Sequence, residues 1–476
     1  MLHRTFVSSI AVACAAFGMT ASAQTARVAA GAPNATALDA YVAEPDPAYT
    51  WSVVRTHQQG DLTVTLIDMT SQRWRAAGEV NRQEWRHWLT VIRPAEVRSD
   101  VGLLFISGGD NERTGPPRLD GMLASFAQQT GTVVAELRMV PNQPIAFADG
   151  VPRKEDDLIA YTWDKYLKGG DDRWPARLPM TKAAVRAMDT VQAFAQSPEG
   201  GRRAITRFVV SGASKRGWTA WTTASVDSRV VSVIPLVIDL LNVEPSFVHH
   251  YRAYGDWAPA VNDYVRFGIM DWMGSPRFAE LMRMVEPYHY RDRLTLPKYI
   301  VNAAGDQFFL PDSSQFYFAD LRGEKYLRYV PNADHSLRDS DAPRNVLAFY
   351  DAIVRGAPRP SFSWTMGADG SITVTTETAP AKVLLWQATN PKARDFRLET
   401  IGPAWTSRPL TAGPDGTFVG RVDPPAEGWT AFFVELTFPG PGAEPFVFTT
   451  DVRVVPDTYP FAAPTPARGR TAAGRP

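Results

Sequence analysis

The sequence predicts an α/β fold: a doubly wound, mostly parallel sheet with a helical cap insertion and a C-terminal β-sandwich. Residues 101–109 and 132–140 form nearly continuous apolar runs that end in turn residues, a pattern typical of strands buried on both faces. Helical stretches alternate with such strands over about 250 residues, which indicates a parallel sheet covered by helices. After residue 360 the pattern changes to β-branched and aromatic runs broken by Pro and Gly, which predicts the sandwich.

Local patterns along the chain support the individual elements. Residues 49–93 alternate apolar and polar side chains in short runs, which favours antiparallel hairpins. The clearest helix covers residues 181–195, where Thr181 suits the N-cap and apolar residues recur on one face. The run ITRFVVSGASKRGW then predicts a strand, a tight turn and a helix. Further buried strands are predicted at VSVIPLVIDLL and PKYIVNAAGD.

The same patterns divide the chain into regions. The α/β domain is predicted at residues 38–356 and the sandwich at residues 361–456. A linker at residues 24–37 precedes them, and a disordered tail at residues 464–476 follows. The aromatic-rich stretch at about 243–290 is longer than a connection between sheet strands requires. We expect it to cap a ligand pocket, because apolar walls with a few polar groups define such sites; an extra pair of packed helices is the alternative.

The chain begins like an exported protein. Residues 1–23 combine Arg4, an apolar stretch and an Ala-x-Ala ending, which predicts a signal peptide cleaved after Ala23. Lipidation at Cys14 is the alternative, disfavoured because Ala11 stands where lipoprotein signals carry a Leu-like residue. No later run offers the roughly 20 apolar residues of a membrane-spanning helix. The pattern favours a periplasmic or secreted protein.

Composition argues against several classes of function. The 476-residue chain has 50 Lys plus Arg and 50 Asp plus Glu, so it lacks the basic excess of a nucleic-acid-binding protein. Its 45% of hydrophobic residues can form a sizeable core. The one cysteine lies in the leader, and the histidines lack metal-ligand spacing. We therefore predict no disulfide, no metal and no cofactor.

A candidate nucleophile stands at a strand-to-helix turn. In the string GASKRG, Ser214 lies between the apolar strand FVV and a helix-compatible run. α/β-Hydrolases expose their nucleophile at such an elbow, where small neighbours relieve crowding. The usual spacing is GxSxG, whereas Gly212 and Gly217 give GxSxxG here. A purely structural turn is the alternative interpretation.

Two further residues complete a candidate triad. Asp306 follows the strand YIVNAAG, and His335 comes 29 residues later in YVPNADHSL. The order Ser, Asp, His is that of α/β-hydrolases. His335 would take the proton from Ser214, and Asp306 would orient the imidazole. Asp239, after another apparent strand, and Asp312, which also suits a helix N-cap, are the alternatives for the acid.

Backbone N–H groups near the elbow are candidates for an oxyanion hole. The residue after the nucleophile commonly supplies one donor, which here is the N–H of Lys215. The turn at Gly108 and Gly109, after the first buried strand, would supply others, because glycines let the backbone approach a substrate. An ordinary Gly-Gly turn is the alternative.

Two cations, Lys215 and Arg216, open the helix after the elbow, where positive charge opposes the helix dipole. We expect an internal carboxylate, such as Glu136 or Asp239, to offset them. An anionic group on the substrate is the alternative partner. Arg216 and Asp239 are therefore the candidate substrate-binding residues.

Several longer strings resemble the PhoPQ-activated pathogenicity-related protein family, namely LDAYVAEPDPAYTW, TSQRWR, WRHWLTVIRP, EDDLIAYTW, GASKRGWTAW and AAGDQFFLPDSSQFYF. The resemblance covers about residues 38–455. It implies an exported α/β-hydrolase-like protein with Ser214 at the elbow and Asp306 and His335 as its partners. It implies no substrate and points only to envelope stress or resistance to membrane-active peptides. The elbow alone is also similar to that of glucuronoyl esterases, in which a basic residue follows the nucleophile as Lys215 does here.

Together these patterns predict an exported serine hydrolase that cleaves an ester, as carboxylesterases do, through a Ser-His-Asp triad. A peptidase is the enzymatic alternative, with the sandwich placing a polypeptide near the site. A noncatalytic envelope or virulence-associated protein is the other alternative, in which exposed aromatics of the sandwich bind a glycan or a protein. The expected partner is a small-molecule or peptide substrate, and neither nucleic acid nor an integral membrane segment is expected.

Overall fold

The computed structural model describes residues 35–112 and 115–466, so the predicted signal peptide, most of the linker and the end of the predicted tail lie outside the described residues. The strands are β1 (Thr50–Gln59), β2 (Leu62–Arg73), β3 (Glu84–Pro94), β4 (Val101–Ile106), β5 (Val134–Leu137), β6 (Ile145–Ala146), β7 (Pro152–Arg153), β8 (Arg207–Ala213), β9 (Val230–Leu236), β10 (Lys298–Ala303), β11 (Lys325–Val330), β12 (Phe362–Met366), β13 (Ile372–Thr376), β14 (Lys382–Asn390), β15 (Thr406–Pro409), β16 (Phe418–Gly420), β17 (Trp429–Phe438), β18 (Phe446–Thr449) and β19 (Arg453–Val455). The helices are α1 (Ala37–Ala43), α2 (Gly121–Thr130), α3 (Glu155–Leu167), α4 (Arg177–Gln196), α5 (Lys215–Val226), α6 (Val243–Tyr254), α7 (Asn262–Arg266), α8 (Pro276–Val285), α9 (Ala342–Arg355) and α10 (Leu398–Ile401).

One large sheet dominates the fold. Its strand order is β1-β2-β3-β5-β4-β8-β9-β10-β11-β18-β17-β14-β15, with β19 paired to β17. From β5 to β11 in this order, neighbouring strands run parallel. The chain proceeds from β4 to β5 on one side and returns to β8 on the other, which is the doubly wound arrangement. The predicted fold class is confirmed.

Antiparallel hairpins extend the sheet at its N-terminal end. Strand β1 pairs with β2, and β2 pairs with β3, with registers such as Thr50 opposite Thr70 and Leu62 opposite Pro94. Strand β3 then joins the parallel region by antiparallel pairing with β5. The alternating pattern of residues 49–93 thus forms the expected hairpins.

Helix boundaries follow from local chemistry. The Asp120 carboxylate accepts hydrogen bonds from the first N–H groups of α2, and the helix ends at Gly131, whose φ of 66° suits glycine. Helix α4 starts at Arg177, earlier than predicted, so Thr181 is not its N-cap. The Thr181 hydroxyl instead donates to the Arg177 carbonyl at 2.9 Å, one turn back in the same helix.

The C-terminal strands form two layers, one of which continues the large sheet. Strand β18 pairs with β11 at Leu327 and Thr449 and thereby covers what would be an open edge. The smaller layer has the order β12-β13-β16. It lies against the larger layer so closely that a Cβ on Gly420 would stand 2.8 Å from a Val434 methyl group. The apolar residues of both layers therefore share one core.

The described surface of these strands lacks the exposed aromatics that the binding-protein alternative expects. The exposed large hydrophobic residues on the strands are Met366 and Val419, whereas the tryptophans are buried or half-buried. Aromatic side chains pack between the two layers, as in the stacked pair Phe362 of the smaller layer and Phe448 of the larger layer.

The insertion between β9 and β10 is helical, as predicted. It contains α6, α7 and α8, and it packs on the main domain where the Trp218 indole donates to the Val285 carbonyl at 2.6 Å. Across the described parts of the chain, no helix combines the length and the apolar character needed to cross a bilayer.

Candidate active site

The carboxyl ends of the parallel strands carry the residues that the sequence singles out. The strand order reverses between β4 and β8, and open α/β sheets bind ligands at such a point. The turn after β4 contains Gly108 and Gly109, and the turn after β8 contains Ser214. Asp306 follows β10, and His335 follows β11. All five residues therefore lie at one edge of the sheet.

Ser214 occupies a strained turn between β8 and α5. Its φ of 56° and ψ of −125° lie outside the conformations that residues other than glycine normally adopt. Its N–H donates to the Leu236 carbonyl at 2.8 Å, and its own carbonyl accepts from Trp218 N–H at 3.0 Å. Such strain persists only where the surroundings enforce it, and it is concentrated at functional sites.

Close contacts require both glycines of the GxSxxG string. A Cβ on Gly212 would lie 2.7 Å from the Arg216 carbonyl oxygen, and one on Gly217 would lie 2.9 Å from the Gly212 carbonyl oxygen. A side chain at either position would push the helix away from the strand. The spacing that departs from the usual motif therefore still forms an elbow.

Asp306 and His335 form a hydrogen-bonded pair. His335 Nδ1 lies 2.7 Å from Asp306 Oδ2, and the other Asp306 oxygen accepts from Phe308 N–H at 2.8 Å. The Phe308 ring packs against the imidazole with 4.4 Å between ring centroids. The Gln307 amide oxygen accepts from His335 N–H at 3.0 Å. These contacts orient the ring so that Nδ1 serves the carboxylate and Nε2 is left for other chemistry.

Ser214 and His335 share the sheet edge but are not hydrogen bonded to each other. Both side chains are half-buried. Within residues 35–112 and 115–466, the Ser214 hydroxyl has no hydrogen-bond partner, and His335 uses only Nδ1 of its ring. Catalytic contacts are often long without substrate and tighten when it binds.

The two other candidate acids are bonded elsewhere. Asp312 accepts from His249 Nε2 at 2.8 Å and from Arg394 at 2.6 Å. Burial alone would raise the pKa of Asp312, but the charges of Arg394 and His249 lower it below its usual range. Asp312 precedes a short 3₁₀ turn without capping it. Its carboxylate is occupied by this ion pair and does not contact His335.

Asp239 lies in a buried tyrosine network. Its two carboxylate oxygens accept hydrogen bonds from the Tyr317 and Tyr329 hydroxyls, each at 2.6 Å. The side chain is buried, and burial raises the pKa of Asp239 well above its usual range despite these hydrogen bonds. In the described structure Asp239 contacts neither His335 nor the cations after Ser214.

The glycine turn after β4 is tied back through its carbonyl groups. The Gly108 carbonyl accepts from Met139 N–H at 3.0 Å, and the Gly109 carbonyl accepts from the Gln143 side chain at 3.1 Å. Gly109 has a φ of 146°, and a Cβ there would meet Met139 at 3.0 Å. Lys215 is the first residue of α5, where N–H groups have no partner within the helix.

Lys215 and Arg216 pair with internal carboxylates, as expected, but the predicted partners Glu136 and Asp239 are wrong. Lys215 Nζ lies 2.9 Å from Glu155 and 3.0 Å from Asp156, and Arg216 forms two hydrogen bonds with Glu155. The expected internal pairing exists, but it uses carboxylates of α3. Glu136 instead accepts from the Ser107 hydroxyl and pairs with Arg138, while Asp239 binds tyrosines.

A C-terminal segment reaches both loops of the acid–base pair. Residues 391–405 connect β14 to β15 and include α10. Leu398 N–H donates to the Gly305 carbonyl at 3.0 Å, directly before Asp306. Asn332, three residues before His335, exchanges two hydrogen bonds of 2.9 Å with the Trp405 backbone. Sequence patterns did not reveal this support.

A family model for the PhoPQ-activated pathogenicity-related protein matches residues 38–397. The chain belongs to this family. A curated relative, autocrine proliferation repressor protein A of Dictyostelium discoideum, is 36% identical over 458 residues, which cover 90% of this chain and 92% of that protein. The similarity therefore includes the C-terminal strands as well as the α/β domain.

This family member also resembles solved esterases at low identity. Acetyl xylan esterase from Paenibacillus sp. R4 is 14% identical with a TM-score of 0.43, and the match covers 68% of this chain and 96% of that one. A glucuronoyl esterase from Solibacter usitatus is 14% identical with a TM-score of 0.38, covering 65% and 87%. The α/β-hydrolase fold of this chain is evident from its own strand order and elbow.

This family member has two cavities of similar size, the first of which borders the candidate site. One, of about 560 Å³, lies beside the glycine turn, with Trp88, Gly109, Arg138, Met139 and Glu155 among its lining residues. The other, also about 560 Å³, is lined mainly by residues of the helical insertion, among them His249, Arg252 and Glu286, together with Tyr459. Among the described residues, no cluster of three or more His, Cys, Asp or Glu side chains has an arrangement suited to a metal ion.

Proposed function

We propose that this protein is a serine hydrolase that cleaves an ester, with Ser214 as nucleophile, His335 as general base and Asp306 as the orienting acid. One observation carries the proposal: the 2.7 Å bond between Asp306 and His335 Nδ1, at the edge of the sheet that presents Ser214 on a strained turn. Because one fold hosts many activities, the proposal rests on this geometry rather than on the fold.

The first half of the reaction forms an acyl-enzyme. Ser214 Oγ attacks the ester carbonyl carbon while its proton passes to His335 Nε2, which produces a tetrahedral oxyanion. The Asp306 carboxylate accepts a hydrogen bond from Nδ1–H, which stays on the ring, and stabilises the imidazolium. The bond to the alcohol oxygen then breaks, and that oxygen takes the proton from Nε2. The acyl group remains on Ser214.

Water completes the cycle. A water molecule gives its proton to His335 Nε2 and attacks the acyl carbon, and the acid leaves as Ser214 Oγ regains a proton from Nε2. We assign the backbone N–H groups of Lys215, Gly108 and Gly109 as donors to the oxyanion in both halves. Substrate binding must also bring the Ser214 hydroxyl within hydrogen-bond reach of His335, since they are not hydrogen bonded without it.

The ester is preferred to the peptide bond on chemical grounds. An alcohol leaves a tetrahedral intermediate more readily than an amine does, so it demands less of the general acid.

A noncatalytic function is supported by a different observation, the name of a relative. The name of the amoebal relative, a proliferation repressor, describes a signal rather than a reaction.

Labelling with a fluorophosphonate tests the proposal. The wild-type protein and the control Ser125→Ala, in helix α2, should be labelled, whereas Ser214→Ala should not. Hydrolysis of p-nitrophenyl acetate should fall about a thousandfold or more in Ser214→Ala. Cleavage of a peptide p-nitroanilide but of no ester would change the assignment to a peptidase. Folded wild-type protein that neither reacts with the probe nor hydrolyses either substrate would instead favour a binding protein.

We also propose export, on the basis of residues 1–23. Expression of the full chain in a Gram-negative host should yield a protein that begins at Gln24 in the periplasmic fraction or the medium. N-terminal sequencing distinguishes this product from a chain that keeps its leader in the cytosol, which would contradict the proposal.

A further inference from the structure

Glu155, the first residue of α3, has an unusual backbone conformation. Its φ of 51° is rare for residues other than glycine. Its N–H donates to the Gln143 side-chain oxygen at 2.7 Å, and Gln143 is itself buried. Strain of this kind costs free energy and persists only where neighbouring contacts impose it. The contacts of the Glu155 side chain show what those neighbours are.

On one side, Glu155 holds the residues that follow the nucleophile. The two terminal nitrogens of Arg216 lie 2.7 and 2.6 Å from the two carboxylate oxygens, a bidentate pair that fixes the plane of both groups. Lys215 Nζ lies 2.9 Å from the same carboxylate. Both cationic side chains are largely buried, whereas the Glu155 side chain is 42% exposed. A single carboxylate thus anchors both residues after Ser214.

On the other side, Glu155 reaches the glycine turn. The Gln143 side-chain nitrogen donates both to the Glu155 carboxylate and to the Gly109 carbonyl. The Arg216 guanidinium fills the space beside Gly108, where a Cβ would stand 2.7 Å from its terminal nitrogen. Arg216 also donates through Nε to the Val140 carbonyl. The contacts therefore run from Gly109 through Gln143 and Glu155 to Arg216.

Charge neutralisation alone does not account for this arrangement. Burial would raise the pKa of Glu155, but the hydrogen bonds and charges of Arg216 and Lys215 lower it well below its usual range, so the carboxylate stays ionised. Asp156 also offsets Lys215, at 3.0 Å, yet it contacts neither Arg216 nor the glycine turn among the described residues. Glu155 is distinguished from Asp156 because it contacts Arg216 directly and is linked to the glycine turn through Gln143.

We propose that Glu155 is a positioning residue that holds the oxyanion turn, residues 107–109, at a fixed separation from the nucleophile turn, residues 214–217. The contribution of Glu155 to catalysis rests on the proposed hydrolase function. A shift of the donors relative to Ser214 would weaken stabilisation of the oxyanion while leaving most substrate contacts unchanged. The role is mechanical, since Glu155 acts through Gln143 and Arg216.

Kinetics of the full-length protein provide the first test. In Glu155→Gln, the bidentate pair is lost at nearly constant shape, and kcat should fall about tenfold to a hundredfold while KM changes less than about threefold. Inhibition by an aryl trifluoromethyl ketone, which forms an oxyanion on serine, should weaken in parallel with kcat. Glu155→Asp keeps the charge but has a shorter reach, so its kcat should lie between those of Glu155→Gln and wild type. Asp157→Asn, a matched loss of charge in the same helical turn, should retain wild-type values.

Hydrogen exchange monitored by mass spectrometry tests the mechanical part independently of activity. Amides of residues 107–111 should exchange faster in Glu155→Gln and in Gln143→Met, which removes the side-chain hydrogen bonds of Gln143 to the Gly109 carbonyl and to Glu155, while amides of residues 305–310 should not change. Unchanged exchange at the glycine turn in both variants would overturn the proposal, even if no substrate is ever found. Unchanged kcat in Glu155→Gln, with active wild type, would also overturn it. Inactive wild type with faster exchange would support the mechanical role and reject only the hydrolase.

Discussion

The two halves of the candidate active site are supported in different ways. The nucleophile half, Ser214 with the glycine turn, is held by an ionic cluster from α3, a helix of the same α/β domain. The acid–base half, Asp306 with His335, is held by backbone and amide hydrogen bonds from residues 391–405, which belong to the C-terminal strands. The first half is therefore self-contained, whereas the second depends on a region far along the chain.

This difference shows that the C-terminal strands are part of the site's framework. The buried pair of Asp312 and Arg394 adds an ionic contact between the same segment and the loop after β10. Loops that carry function commonly rely on a rigid scaffold, and here two separate scaffolds meet at one sheet edge. Substitutions that disrupt one scaffold and leave the other intact test whether the two halves are supported separately.

Of the carboxylates that support the two halves, Asp306 should have the largest effect on activity. Asp306→Asn removes the acceptor that fixes the imidazole, so kcat should fall by about ten-thousandfold, as loss of the triad acid does in serine hydrolases. This loss should exceed that of Glu155→Gln, since the acid defines the tautomer and Glu155 only positions. Steady-state kinetics on p-nitrophenyl acetate checks it. Asp334→Asn, next to His335 in sequence, is the control and should stay near wild type.

The largest expected effect on stability tests the link to the C-terminal strands. Arg394→Met leaves the Asp312 carboxylate buried without its cation, which should lower the free energy of unfolding by about 3–5 kcal/mol. Urea denaturation measures the change. Arg322→Met, which removes a solvent-exposed pair with Asp292, should cost less than about 1 kcal/mol. Equal losses in the two variants would show that the segment does not support the acid–base half.

Folding stability should fall as the pH rises from mildly acidic to neutral, because of Glu286 in the helical insertion. Glu286 accepts a hydrogen bond from Val243 N–H, the first of α6, whose His249 binds Asp312. Burial raises the pKa of Glu286 from 4.5 to about 8. As pH rises between these values, the unfolded chain loses its proton before the folded one, so folding stability falls until about pH 8.

Glu286→Gln removes this titration. The variant should show a smaller loss of stability than wild type between pH 5 and pH 8, by on the order of a few kcal/mol. Urea midpoints at both pH values give the comparison. In the nucleophile half, by contrast, the lowered pKa of Glu155 gives stability that is present at neutral pH and lost only in acid. A wild-type pH dependence that Glu286→Gln leaves unchanged would contradict the assignment.

The smallest expected effect concerns salt. The Glu155 side chain is 42% exposed, whereas the side chains of Asp312 and Arg394 are at most 4% exposed. At about 1 M NaCl the Debye length is near 3 Å, so the nucleophile half should loosen more than the acid–base half. Hydrogen exchange of residues 107–111 should rise by less than about threefold while that of residues 305–310 stays constant. Faster exchange at residues 305–310 than at residues 107–111 would show that the acid–base half is the more sensitive to salt.

Local signals in the sequence were enough for part of this picture. The apolar runs predicted the parallel sheet, and the turn residues that end them placed Ser214, Asp306 and His335 at one edge, because parallel strands end together. The sequence could not exclude Asp239 and Asp312 as the triad acid, since the tyrosine and arginine side chains that bind them lie in other elements.

The supporting contacts were not predictable from such signals. Glu155 and Arg216 stand 61 residues apart, and nothing in the acidic start of α3 shows which cation it will meet. Likewise, the change of pattern near residue 360 suggested a separate sandwich but could not show that β18 would pair with β11. Pairing between distant strands depends on the assembled sheet rather than on local preference.

The β11–β18 pairing has a practical consequence for any shortened form of the chain. A protease cut near residue 360, followed by loss of the downstream piece, would strip β11 of its neighbour and bare a row of unpaired peptide groups. Such a remnant should self-associate through that rim instead of surviving as a smaller working unit.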